Sequence, residues 1–88
     1  MFNMEITKKY ELTNEYKVFE DDNVIVYRIR ALVDIPEHNV KTGDLGGFIE
    51  SEDNLSHLGN CWVADEAVVY GYTFLFGNAM ITGDTIFN

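Results

Sequence analysis

The sequence predicts an all-β protein: a short β-solenoid of about two triangular coils of six-residue repeats, capped by an N-terminal β-hairpin and strand layer. Three observations predict it. From Asp53 the chain reads in sixes as DNLSHL, GNCWVA, DEAVVY, GYTFLF, GNAMIT and GDTIFN, with Gly or Asp first in every block. The runs between those corners are rich in Val, Ile, Phe and Tyr, the composition of strands. No helix is strongly signalled anywhere.

Within each block the Gly or Asp supplies the tight or left-handed corner, and the residues after it form a short strand whose side chains alternate in and out. The fifth place is apolar at Val63, Val69, Leu75, Ile81 and Phe87, with His57 the exception, and is assigned inward. The third place (Leu55, Cys61, Ala67, Thr73, Ala79, Thr85) is assigned inward as well. With three blocks to a coil, Val63 stacks on Ile81, Val69 on Phe87 and His57 on Leu75, while Leu55 meets Thr73, Cys61 meets Ala79 and Ala67 meets Thr85. The fourth place then points outward at Ser56, Trp62, Val68, Phe74, Met80 and Ile86, and the sixth adds Tyr70 and Phe76. The competing assignment reverses inside and outside.

A chain of 88 residues is expected to be one domain, with residues 1–52 as the β cap and 53–88 as the repeats. In the cap, residues 4–12 read as a first strand, and residues 16–19 and 24–32 flank a hairpin turn at 20–23. On the longer strand Ile25, Tyr27, Ile29 and Ala31 share the face assigned to the core, covering the open end of the coils. Pro36 breaks that strand, and Asp44-Leu45-Gly46-Gly47 reads as a tight turn into Phe48-Ile49, the last cap strand.

Composition bounds the chemistry. The chain is 47% hydrophobic with one Pro, so it is globular, yet it is small enough that its core is marginal without help. No apolar run reaches the length of a membrane span, no signal-peptide core stands at the N-terminus, and a single Cys fits a reducing compartment; the protein is expected in the bacterial cytoplasm. The net charge is −9, and residues 42–88 hold seven acids and no base. That balance repels a phosphate backbone, so direct nucleic-acid binding is not expected and a charged partner should be basic. No phosphate-binding loop, nucleophile elbow or Cys/His pair with an orienting acid is present, which reads as a protein without enzymatic function. His57 and Cys61, with His38, form a candidate structural zinc site, since these are zinc-type ligands and a thin core gains from a metal staple. The competing reading is a buried free thiol beside a His hydrogen-bonded within the cap.

KYEL at 9–12, YRIRAL at 27–32, DLGGF at 44–48, NLS at 54–56 and GNCWV at 59–63 resemble the opening of phage and bacterial hexapeptide-repeat proteins of the polymer-forming type. The resemblance covers nearly the whole chain and implies a β-solenoid, with no catalytic chemistry to carry over. Relatives of that type run through many repeats and hold Lys or Arg at the outward place, where this chain is apolar. Small size, acidity and that outer face make the chain similar to phage anti-CRISPR proteins, which implies an inhibitor that blocks DNA loading onto Cas9 or another basic Cas nuclease. Glu50, Glu52, Asp53, Asp65 and Glu66 would face the Arg and Lys that hold phosphates, and Trp62, Val68, Tyr70, Phe74, Phe76 and Met80 would be apolar anchors. The alternative is a self-assembling structural module without a host target. In either case a homodimer through the apolar outer face or the open last coil is expected.

Overall fold

The computed structural model describes residues 7–88. The fold is all-β. Its strands are β1 (Tyr10–Phe19), β2 (Val24–Ala31), β3 (Leu45–Ile49), β4 (Trp62–Val63), β5 (Val68–Val69), β6 (Met80–Ile81) and β7 (Ile86–Phe87), with three single turns of 3-10 helix at Glu20–Asp22, Pro36–His38 and Glu52–Asn54. One five-stranded sheet runs β1-β2-β3-β5-β7, and β4-β6 forms a second, two-stranded sheet.

The expected strand at 4–12 and the short strand at 16–19 are one strand where the structure describes them, from Tyr10 to Phe19; residues 4–6 lie outside the described residues. A register shift between Leu12 and Tyr16 lets β1 stay paired to β2 while bending. The hairpin turn is closed by Asn23, which takes the left-handed conformation at φ 55°.

From β3 onward the pairing becomes parallel. Phe48 and Ile49 pair with Val68 and Val69, which pair with Ile86 and Phe87. On a second side Trp62 and Val63 pair with Met80 and Ile81, and on a third Leu55 bridges to Leu75. The Val63–Ile81 and Val69–Phe87 stacks are those the six-residue period predicts. Leu55, however, meets Leu75 rather than Thr73, and His57 stacks on nothing in the column. Two extra residues lie at the Ser56–Leu58 corner: Ser56 N–H donates to Leu75 O and Asn60 N–H to Gly77 O, so the lower strand is longer there than the one above. Corners lie outside the ladders, and an insertion there costs no strand hydrogen bond.

Leu45-Gly46-Gly47 is not a turn but part of β3. The glycines are required by close approach. A Cβ on Gly46 would stand 2.5 Å from Val63 O and 2.9 Å from Trp62 Cζ2, and one on Gly47 would stand 2.6 Å from Val63 Cγ1 and press on Ala67 O. Bare backbone lets β3 lie directly on the first coil.

This contact corrects the outward column. Trp62, Val68 and Tyr70 are 1%, 2% and 7% exposed. Trp62 lies beneath Gly46 and Ile29, in one core with Tyr10, Ile35, Ile49, Leu55, Cys61 and Val69. Val68 and Tyr70 join Val26 and Phe48 in a second apolar cluster on the other face of the sheet. The cap wraps the first coil and buries these places while Cys61, Val63, Ala67 and Val69 stay buried as expected, so inside and outside are not reversed; side chains on both faces of the covered strands are buried. The same wrapping splits β2: Ile29 and Ala31 are buried as expected, but Ile25 is 44% exposed and Val26 is buried in its stead.

Candidate functional site

Three places concentrate polar chemistry. The first ties the lead-in of β1 to the Ser56–Leu58 corner. Lys9 is buried, and its ammonium donates to Cys61 O at 2.6 Å, Gly59 O at 3.3 Å and Cys61 Sγ at 3.2 Å. A buried ammonium has three protons to satisfy, and this corner offers three acceptors. His57 sits beside it. Its ring stacks on Tyr10 at 4.1 Å between centroids, its Nδ1 accepts the Lys9 N–H at 3.0 Å, and its Nε2 lies 2.6 Å from Glu52 Oε1. With Nδ1 accepting, the proton is on Nε2 and points at the carboxylate. The His57 hydrogen bond holds the Glu52 carboxyl below its usual range, with a further contribution from Lys8. Tyr10 donates to Leu55 O at 2.6 Å, and burial first, then Glu52, pushes its phenol up.

These contacts define the residues of the candidate zinc site. Both nitrogens of His57 are engaged by Lys9 and Glu52, and the Cys61 thiol lies among Lys9 Nζ and the carbonyls of Ser56 and Leu75 at 3.4 and 3.6 Å. His38 is on the separate Pro36–His38 turn, with a buried Nε2 that has no partner among the described residues. Among the described residues no three His, Cys, Asp or Glu side chains converge.

The second place is a cationic cover on Phe48. Lys17 Nζ is 4.5 Å and Arg28 Cζ 4.3 Å from the centre of its ring. Arg28 also pairs with Glu66 at 2.8 Å and Glu15 at 2.9 Å and donates to Gly46 O. Burial alone would lower the Arg28 pKa, but the two carboxylates more than offset it. Glu66 in turn is held below its usual range, first by Arg28 and then by Lys17.

The third is a groove of about 960 Å³ between the hairpin turn and the first corner, lined by Asp22, Glu50, Asp53, Tyr70, Tyr72 and Asn88 among others. Tyr70 donates to Asp22 at 2.6 Å, which raises its pKa, and accepts from Asn88 at 3.1 Å.

The five acids expected to face a basic partner do not form one patch. Glu50 accepts from Gly71 N–H at 2.9 Å and Asp65 from Gly83 N–H at 3.1 Å, each bracing a corner one coil on. Glu52 is tied to His57 and Glu66 to Arg28; of these five acids Asp53 alone has a carboxylate with no hydrogen bond or ion pair to a described residue. Of the apolar anchors, Phe74 and Phe76 remain exposed, with stacked rings 5.8 Å apart, and Met80 is half-buried over the core. Sequence reasoning missed Lys9, Arg28 and Asn54. Asn54 is buried, accepts from Glu50 and Ser51 N–H, and donates to Gly71 O and Thr73 O, clamping two coils at one corner. Its signal was present in the NLS match at 54–56.

Among the described residues no helix is long and apolar enough to cross a membrane. No family model matches the chain. It is 36% identical over 86 residues to a protein of Escherichia coli (strain K12) named as the uncharacterised acetyltransferase YdcK, a match covering 90% of this chain and 26% of that protein. The chain thus spans about a quarter of the relative's length. This likeness corrects the expectation of a protein without enzymatic function, because the relative's name is that of an enzyme class.

Proposed function

We propose that this chain is the capped opening of a β-solenoid, and that it starts and orients the coils of an acetyltransferase-type protein. One observation carries the reading. Two parallel ladders return after eighteen positions, Trp62 to Met80 and Val68 to Ile86, while the hairpin and β3 cover the near end of the stack. A stack of short coils needs such a cover, because its terminal interior is otherwise open to water. The likeness to the acetyltransferase-named protein runs through the cap as well as the repeats, which fits a shared opening module. Acetyl transfer comes to the chain, in this reading, as an activity of the stacked array. The module supports it by fixing the register of the first coil through β3, Asn54 and the Lys9 clasp.

The test is amide exchange in solution. The N–H groups of Trp62, Ala64, Val68 and Tyr70 donate to carbonyls of Ala79, Ile81, Thr85 and Phe87 one coil on. They are expected to exchange slowly and as one set. Exchange at the rate of free amides at these four positions overturns the solenoid reading.

A further inference from the structure

β1 and β2 are ten and eight residues long, while the strands of the first coil, β4 and β5, have two each. The hairpin runs on past the coil. One of its faces closes the core at the near end, through Tyr10, Ile29 and Ala31. Residues directly opposite in an antiparallel pair share a face, so Leu12–Ile29, Tyr16–Tyr27 and Val18–Ile25 continue that face toward the turn. There it is bare: Leu12, Tyr16, Val18 and Ile25 are 37%, 59%, 51% and 44% exposed, and the Tyr16 and Tyr27 rings lie 6.4 Å apart among them. Any further coil would extend the sheet at its β7 end, away from β1 and β2, so this face does not depend on where the coils stop.

An antiparallel sheet with one wet face ordinarily carries its polar side chains there. Here the five charged residues of the two strands all lie on the opposite, packed face. Glu11 pairs with Arg30, Lys17 and Arg28 cover the Phe48 ring, and Glu15 pairs with Arg28. The wet face is the apolar one, the pattern of a surface that is covered in use. We infer that this face of the cap docks on the same face of a second copy of the chain, related by a two-fold axis. Charge selects that occupant. The chain carries −9, so two copies repel over most of their surfaces and least where no charge stands. A basic partner is drawn to carboxylates, and this face offers none. An uncharged apolar face is also its own complement, as a two-fold contact requires. The two hairpins then stack face to face about 10 Å apart. The patch is small for an interface, which makes the dimer a weak one.

Light scattering after size exclusion, with the chain loaded at up to about 1 mM, tests the inference. A monomer–dimer equilibrium is expected, and added salt should tighten it by screening the repulsion between copies. Val18→Asp and Ile25→Asp put carboxylates into the contact and are expected to raise the dissociation constant by at least about 100-fold, with the far-ultraviolet spectrum unchanged. Tyr16→Ser removes a ring without adding charge and is expected to raise it by about 10-fold. Phe76→Asp, exposed on the coils, is expected to leave it unchanged. A monomer at every concentration and salt overturns the second copy as occupant. A dimer that survives all three hairpin substitutions, or is lost in Phe76→Asp, overturns the site.

Discussion

Gly47→Ala is expected to destabilise the protein, against the usual sign for that exchange. Gly→Ala at a compatible position stabilises by about 0.4–1 kcal/mol through the unfolded chain. Here the added Cβ stands 2.6 Å from Val63 Cγ1 and 3.2 Å from Ala64 O and crowds Ala67 O. Ordinary carbon contacts lie near 3.5–4.0 Å, so β3 has to withdraw from the first coil by about 1 Å. That movement acts on two bonds, Phe48 N–H to Ala67 O at 2.9 Å and Glu50 N–H to Val69 O at 3.2 Å. Overpacking costs about 1–3 kcal/mol and each weakened bond about 1 kcal/mol, so the net loss is about 3 kcal/mol. In a domain of this size that lowers the melting temperature by about 12–24 °C. The control is Gly77→Ala, where nothing lies within 4 Å and the only cost is the positive φ of 68°, about 1–2 kcal/mol. The assay is thermal unfolding of both variants by circular dichroism. A Gly47→Ala protein as stable as the parent, or more stable than Gly77→Ala, refutes the close-approach argument.

Two further outcomes follow from the clasp. Lys9→Met keeps the apolar stem but removes the ammonium from Cys61 O, Gly59 O and Cys61 Sγ; chemical denaturation is expected to show a loss of about 1–3 kcal/mol. Glu52 has a folded pKa below its ordinary 4.5, so its contribution is present above pH 4.5 and is lost as pH falls through the lowered value. The stability gap between the parent and Glu52→Gln is therefore expected at pH 7 and should close below pH 4.5, as read from urea midpoints at stepped pH.

Much of the repeat half was legible because its period is strict where ladders form. Val63 on Ile81 and Val69 on Phe87 follow from eighteen-residue spacing alone. His57 was misplaced because a period cannot show an insertion at a corner, where no ladder bond is broken. Trp62, Val68 and Tyr70 were placed outside because alternation says which way a side chain points but not what then covers that side. Gly46 and Gly47 read as a turn because glycine permits both positive φ and close backbone approach, and the second use depends on a neighbour far along the chain. Of the candidate site, the acids were legible as charge and illegible as partners. Arg28, Gly71 and Gly83, which occupy three of them, come from other elements.

The cap lies ahead of the coils in the chain, and that order bears on synthesis. The β1–β2 hairpin needs only local contacts, so it can form early and cheaply. Once β3 is laid beside it, each later rung closes a loop of similar length, and the entropic charge for that closure hardly changes from one rung to the next. Growth is then directional. Under the proposed solenoid reading, residues leaving the ribosome meet a finished template before their own partners exist, as Met80 and Ile86 meet the strands of Trp62 and Val68.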